Sequence, residues 1–212
     1  MARLRKGSRV WRGDEAREAA ARVMVADGGP LFAVDPPALF ARRAPIEIEL
    51  GAGRGDFIIE RATATPAANF IAAELAATVA QLLAVRAGRG RLDNLRVVRM
   101  DARTLVNLMI APASVSAYHI YFPDPWPRKR DLKHRLFTPW FAASLKRTLQ
   151  PAAPLYVATD VEEYAGEIFA LLEGSGFARA EMAVPGAETT GFARKFRAEG
   201  RPIYAGAFVA AR

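Results

Sequence analysis

The sequence predicts an α/β fold built on a mostly parallel, doubly wound sheet of about seven strands. Three observations predict it. From residue 45 onward, short β-patterned runs alternate with longer amphipathic runs. Each of the first five β runs also ends at a carboxylate or a glycine turn, at Glu49, Gly51–Gly55, Glu74, Asp101, Asp124 and Asp160. Such sheets bind their ligands at the carboxyl ends of their strands. Finally, 212 residues with 51% hydrophobic and 25% charged content are enough for one domain with a full core.

Residues 1–12 hold Arg3, Arg5, Lys6, Arg9 and Arg12 without an acid, a basic arm. A short helix is expected over 14–26, after which Pro30, Pro36 and Pro37 break regular structure. Residues 1–40 are therefore set apart as an arm and irregular segment, and residues 41–212 as the domain.

The run Ile46-Glu47-Ile48-Glu49-Leu50 alternates apolar and acidic residues and reads as the first strand. Gly51 to Gly55 form a turn, and Asp56 is expected to cap a helix through about Ala64. A second strand spans Asn69 to Glu74. An Ala/Leu-rich helix over about 76–87 should stop at Gly88 and Gly90. Leu95 to Met100 is a third strand, followed by a short helix near 103–109. Val115 to Phe122 is a fourth strand, running into a proline-rich loop. Thr138-Pro139 opens a helix, a capping residue before Pro at the first helical position. Its apolar stripe is Phe137, Phe141, Leu145 and Leu149. Leu155 to Thr159 is a fifth strand. Val161, Tyr164, Ala165, Ile168 and Leu172 mark the buried face of the next helix, ended by Gly174 and Gly176. Strands at about 178–184 and 203–209 close the chain, with an irregular basic loop between them.

Composition excludes several classes. There is no cysteine, hence no disulfide and no thiolate metal site. Two histidines, His119 and His134, are too few for a histidine metal site; a carboxylate Mg²⁺ site stays open but has no dedicated signature, and no metal is expected to be required. No apolar run reaches the roughly 20 residues of a membrane span. The charged N-terminus lacks the apolar stretch of a secretory signal, so a cytoplasmic protein is expected. The net charge of +8 suggests a polyanionic partner, although Arg-rich composition alone also produces such an excess.

The glycine turn fits a nucleoside cofactor better than a dinucleotide. Gly51 permits a tight turn, and Gly53 lets a ligand approach the backbone. The dinucleotide pattern needs its third glycine at position 56, where Asp56 stands instead. A carboxylate at that helix start repels pyrophosphate. It suits S-adenosylmethionine, which has no phosphate and carries a sulfonium and an ammonium group. Glu74 stands where an acid accepts ribose hydroxyls. Asp101 either bonds an adenine amino group or caps the following helix. One acid at a strand end is usually a cap; five in succession exceed what capping explains.

The most unusual segment is Tyr121-Phe122-Pro123-Asp124-Pro125-Trp126-Pro127-Arg128-Lys129-Arg130-Asp131-Leu132-Lys133-His134-Arg135. Its prolines stiffen the backbone, Asp124 sits between two of them, and five Lys or Arg lie within 128–135. A rigid aromatic–acid pocket beside phosphate-binding cations fits a splayed nucleotide.

This segment resembles the Pro-Asp-Pro-Trp-Pro motif, with its basic continuation, of the bacterial tRNA (guanine-N7-)-methyltransferases. The resemblance extends over Glu49 to Gly55, Glu74, Asp101, Thr159-Asp160 and the tail from Thr190-Gly191-Phe192-Ala193 through Tyr204, about residues 45–206. It implies a Rossmann-like methyltransferase fold with an antiparallel C-terminal strand. It implies an S-adenosylmethionine site at Glu49, Gly51, Gly53, Glu74 and Asp101, and Asp124 as the essential acid. Arg128, Asp160, Thr190 and Phe192 are implied to contact substrate, a guanine in the variable loop of tRNA (position 46 in the family). The chain departs from the family at Arg128, where a Lys is usual, and at Asp131, Leu132 and His134. Ala193 stands where the family usually has Glu, so guanine recognition is relaxed or supplied elsewhere. Residues to about 44 match poorly. Oligomeric state, monomer or homodimer, is left open. Competing readings are a non-catalytic RNA-binding relative, a small-molecule methyltransferase and, disfavoured by the glycine spacing, an NAD-dependent oxidoreductase.

Overall fold

The computed structural model describes residues 13–25 and 39–211. The basic arm and Pro30, Pro36 and Pro37 lie outside the described residues. Seven strands form one sheet: β1 (Ile46–Leu50), β2 (Asn69–Ala73), β3 (Leu95–Val98), β4 (Ala117–Tyr121), β5 (Pro154–Thr159), β6 (Phe177–Ala180) and β7 (Tyr204–Ala210). Their order is β3-β2-β1-β4-β5-β7-β6. The strands β1 to β5 pair in parallel, and β7 runs antiparallel between β5 and β6. The chain reverses its direction of travel across the sheet between β1 and β4. That switch point opens a crevice at the carboxyl ends of these two strands. The glycine turn follows β1 and the Pro-Asp-Pro loop follows β4, so the topology sets them on either side of the crevice.

The helices are α1 (Asp14–Ala21), α2 (Asp56–Ala64), α3 (Ala77–Arg89), α4 (Ala102–Thr104), α5 (Pro139–Thr148), α6 (Glu162–Gly174), α7 (Gly186–Thr189) and α8 (Gly191–Ala198). One face of the sheet packs Ile46, Ile48, Leu50, Tyr118, Ile120, Leu155 and Val157 against Phe141, Leu145, Tyr164, Ile168 and Leu172 of α5 and α6. The other packs Phe70, Ala72, Val97, Ala117, Tyr121 and Tyr156 with Phe57, Ile58, Leu83 and Ala84 of α2 and α3. Both faces of β1 are therefore covered. Its acids, Glu47 and Glu49, are buried at 8% and 4% exposure rather than lining a wet face.

Several boundaries differ from expectation. The first helix ends at Ala21, because residues 23–25 turn into the sheet: Val25 N–H donates to Val97 O and Val97 N–H to Val23 O. Gly88 does not stop α3, which runs on to Arg89. It stands where α1 crosses, and a Cβ there would overlap the Ala19 carbonyl. The helix near 103–109 is a single α turn, Ala102–Thr104, widening into a π-helical run over Leu105–Met109. Strand β4 starts at Ala117, with Val115 bridging Leu149 alone. The irregular basic loop expected before the last strand holds α7 and α8 instead. Thr190 supplies the cap of α8, its Oγ1 accepting the Ala193 N–H at 3.0 Å. No helix among the described residues is long and apolar enough to cross a membrane.

Candidate functional site

The turn after β1 is a run of left-handed backbone: Gly51, Gly53 and Gly55 have φ of 78°, 55° and 77°. Side chains with a Cβ are disfavoured in that region, so all three positions call for glycine. The Gly51 and Ala52 N–H groups donate to Ala73 O at 2.9 and 3.0 Å, tying the turn to β2. Glu74 braces it from the other side. Its Oε2 accepts the Gly53 N–H at 2.9 Å and its Oε1 the Ala76 N–H at 2.8 Å.

Glu49 lies beneath this turn. It is buried, and its Oε2 has no hydrogen-bond partner among the described residues. Burial pushes its pKa well above the usual carboxylate range, and the nearby charges of Asp56 and Glu74 push the same way. Three acids thus gather round one glycine turn. Asp56 is not the cap of α2, since Gly55 holds that place without a side-chain bond. Asp56 is the first helical residue and pairs with Arg86 at 2.8 Å. It also lies against Gly191, where a Cβ would collide with its Oδ2.

Asp101 does cap α4: its Oδ1 accepts the N–H groups of Arg103 and Thr104, both at 3.0 Å. Its Oδ2 has no partner among the described residues, so capping leaves one oxygen for a ligand. The two roles left open by the sequence are compatible.

Across the crevice, Asp124 is exposed and has no partner among the described residues. Two non-glycine residues in left-handed backbone, Phe122 at φ 52° and Trp126 at φ 42°, bracket it. The stiffness comes from these turns as well as from the prolines, and local strain of this kind gathers at functional sites. The loop is then pinned from behind. Arg135 Nε donates to Pro125 O at 2.7 Å, and its guanidinium pairs with Glu167 and lies 4.6 Å from the Tyr164 ring centre. Arg103 donates to the carbonyls of His134 and Arg135. Trp126 packs on His134 with ring centres 5.2 Å apart. Arg135, counted from sequence among the phosphate-binding cations, is thus a structural strut. Arg128, Lys129 and Lys133 are exposed, the latter two on a short 3-10 turn.

Thr190 is buried and spends its hydroxyl on the α8 cap. Phe192 is half exposed. Its ring meets Phe196 at 5.8 Å and Phe122 at 6.1 Å, which joins α8 to the loop carrying Asp124. Asp160 pairs with Arg201, whose guanidinium lies 4.1 Å from the Phe196 ring centre. Ala193 faces inward and is buried, so α8 presents no acid from that position. The acid at Glu188 in α7 pairs with Arg197 at 3.2 Å.

The structure therefore brings Glu49, Gly51, Gly53, Glu74 and Asp56 together round one turn. The Phe122, Phe192 and Phe196 rings tie the loop that carries Asp124 to α8, and Arg201 ties Asp160 to the same rings. Sequence reasoning missed Arg103, Arg201 and Gly186, and did not see a buried cluster of Glu47, His119, Tyr121 and Arg61. Polar residues at alternate positions of two strands, 47/49 and 119/121, were the available signal. No group of three or more His, Asp or Glu among the described residues is arranged to hold a metal ion.

A family model described as "Putative methyltransferase" matches residues 43–205. A tRNA (guanine-N(7)-)-methyltransferase of Bordetella pertussis is 40% identical over 146 residues, 69% of this chain. The aligned region is 58% of that protein's length, so the chain spans little more than half of it. The enzyme of the same name from Syntrophotalea carbinolica is 34% identical over 176 residues, 80% of this chain and 76% of that protein. Among solved structures, a mutant 16S rRNA (adenine(1408)-N(1))-methyltransferase with cosubstrate SAM from Catenulisporales acidiphilia is similar in fold. Its TM-score is 0.60 at 18% identity, over 88% of this chain and 93% of that one. A SAM dependent methyltransferase from Aquifex aeolicus matches at a TM-score of 0.54 and 14% identity, over 93% and 98%.

Proposed function

This chain belongs to the tRNA (guanine-N(7)-)-methyltransferase family, and from that premise we propose that it transfers a methyl group from S-adenosylmethionine to N7 of a guanine in the variable loop of tRNA. The observation that carries this reading is Glu49. A buried carboxylate with an unpartnered oxygen, hemmed in by two further acids, lacks a cation. The donor's ammonium group is such a cation, and the glycine turn beside Glu49 admits a ligand to the backbone.

When bound, S-adenosylmethionine supplies a methyl group on a cationic sulfur. Glu49 holds the ammonium end. The Glu74 oxygens each accept one backbone N–H and keep a lone pair for a ribose hydroxyl. Asp101 offers Oδ2 to the adenine amino group. Gly51 and Gly53 leave room for the ligand at the turn.

Guanine N7 has a lone pair and no proton, so no base is needed to create the nucleophile. The work of the chain is then orientation. Asp124 accepts from the guanine N1 and N2 hydrogens and offsets the positive charge the purine gains. Adenine lacks this donor pair and is rejected. Phe192 offers a stacking face, held in place by the Thr190 cap. Asp160 releases Arg201 or shares its carboxylate with the nucleoside, and Arg128 with its neighbouring cations holds phosphates. The reaction needs no metal and takes place in the cytoplasm, with tRNA as partner.

The test is incubation with labelled S-adenosylmethionine and unmodified tRNA, followed by mapping of the modified base. Label at N7 of a variable-loop guanine supports the proposal. Label on another nucleotide, or on metabolites alone, contradicts it. Binding of tRNA without any transfer would leave an RNA-binding relative in its place.

A further inference from the structure

The cofactor and guanine sites leave unused a row of buried polar groups on the α2 side of the sheet. Glu47 and His119 lie on adjacent strands, and Tyr121 follows His119 by two residues on the same face. Arg61 of α2 reaches Glu47 with two nitrogens, at 3.0 and 2.9 Å. Burial would raise the pKa of Glu47, but hydrogen bonds from His119 and Arg61 outweigh it and hold the carboxyl at about 2. Burial keeps His119 neutral by lowering its pKa.

An ionised acceptor fixes the tautomer of a neutral imidazole. His119 Nε2 carries the proton and donates to Glu47 Oε2 at 3.0 Å. His119 Nδ1 is then bare, so the Tyr121 hydroxyl at 2.8 Å is its donor. The bonds therefore run one way, Tyr121 to His119 to Glu47, with Arg61 closing the far end. Tyr156 stacks on the His119 ring at 5.2 Å and Phe57 meets the Tyr121 ring edge-on at 5.0 Å, which keeps both rings from swinging.

We propose that Tyr121, backed by His119 and Glu47, is a positioning residue that sets the Gly186–Phe192 segment against the loop of Asp124. This rests on the methyltransferase reading for its catalytic consequence. Tyr121 is the last residue of β4, three before Asp124. Its ring fills the space a Cβ at Gly186 would need. The far end of the same segment, Gly191, is seated on Asp56 in the same manner. The segment that carries Thr190 and Phe192 is thus held at both ends by bare glycines resting on side chains of the crevice. Attack by guanine N7 removes no proton, so a buried Tyr–His–Glu row has no proton to relay and acts through geometry.

The experiment is Tyr121→Phe, which deletes only the hydroxyl, with Tyr156→Phe as a control on the same layer. Loss of one buried hydrogen bond corresponds to about a tenfold effect. In Tyr121→Phe, kcat/KM for tRNA should fall about tenfold while the Kd of S-adenosylhomocysteine stays within about twofold. In the free protein, amide hydrogen exchange over residues 186–192 should quicken by a similar factor. Glu47→Gln, two bonds further back, should speed the same amides. Tyr156→Phe should alter none of these. Unchanged exchange at 186–192 in both variants overturns the proposal, as does a loss of kcat/KM matched by an equal loss of cofactor affinity. If the wild-type protein fails to methylate tRNA, the functional reading falls, and the exchange measurement still decides the positioning role.

Discussion

Glu74 closes the glycine turn from outside, its Oε2 taking the Gly53 N–H at 2.9 Å. The residue proposed to hold the ribose thus also shapes the loop on which the donor rests. Glu74→Ala should remove both functions. Cofactor affinity should fall by about 10- to 100-fold, the range expected for one to two charged hydrogen bonds. Stability should drop by only about 1 kcal/mol, because Glu74 is partly exposed. Calorimetric titration and urea denaturation measure the two separately, and near-normal affinity would remove Glu74 from the site.

Asp124 has the opposite character, being exposed and without a partner among the described residues. Asp124→Ala should leave the melting temperature and cofactor Kd nearly unchanged. Turnover on tRNA should fall by about 100-fold or more, as for loss of a group that stabilises transition-state charge. Single-turnover methyl transfer reads this directly; wild-type rates in the variant would show that the purine is held elsewhere.

Much of the fold is legible because alternation and turn residues agree along the chain. The Thr138-Pro139 start of α5 and the alternation in β1 correspond to the observed elements. The errors share a cause, which is that a residue's local signal is overruled by something distant in sequence. Gly88 looks like a helix stop, but it is the contact point for α1. Glu47 looks like a solvated strand residue, but His119, 72 positions away, covers it. Arg135 looks like a free cation, and only the fold shows Glu167 beside it. The glycines and carboxylates of the crevice were readable because the β1 and β4 ends are adjacent in any sheet that reverses between them.

The close crossing of α1 and α3 gives a prediction independent of function. Gly88→Ala places a methyl group into the Ala19 backbone. Overpacking of this sort costs about 1–3 kcal/mol, despite the better helix propensity of alanine. A rise in denaturation midpoint would mean that α1 does not sit on α3 as described.

The Glu47–His119 pair contributes stability that is lost on acidification. The folded pKa of His119 lies below its usual 6.5, so from that pH downward the unfolded chain takes up a proton that the folded chain does not. Glu47 repeats the effect lower down, its folded value of about 2 lying below the usual 4.5. Both contributions are present at neutral pH and fade with acidification, beginning below about pH 6.5 and ending near pH 2. Glu47→Gln should flatten the lower part of the curve and cost about 1–3 kcal/mol at pH 7, since Arg61 and His119 lose their charged acceptor. Urea denaturation across this pH range checks both.

Glu49 runs the other way. Its folded pKa is raised, so its protonated form contributes stability at low pH that is lost as pH rises above the usual 4.5 through the folded value. A bound ammonium reverses that cost by favouring the ionised form. The most direct test is the Kd of S-adenosylmethionine from pH 4.5 to 7, for the wild-type protein and for Glu49→Gln. Binding to the wild type should tighten as pH rises, with uptake of the ligand releasing a proton. The variant should bind more weakly at pH 7 with a flat profile. A wild-type affinity that ignores pH, or a variant that keeps the wild-type profile, would contradict the claim that this buried acid receives the methyl donor.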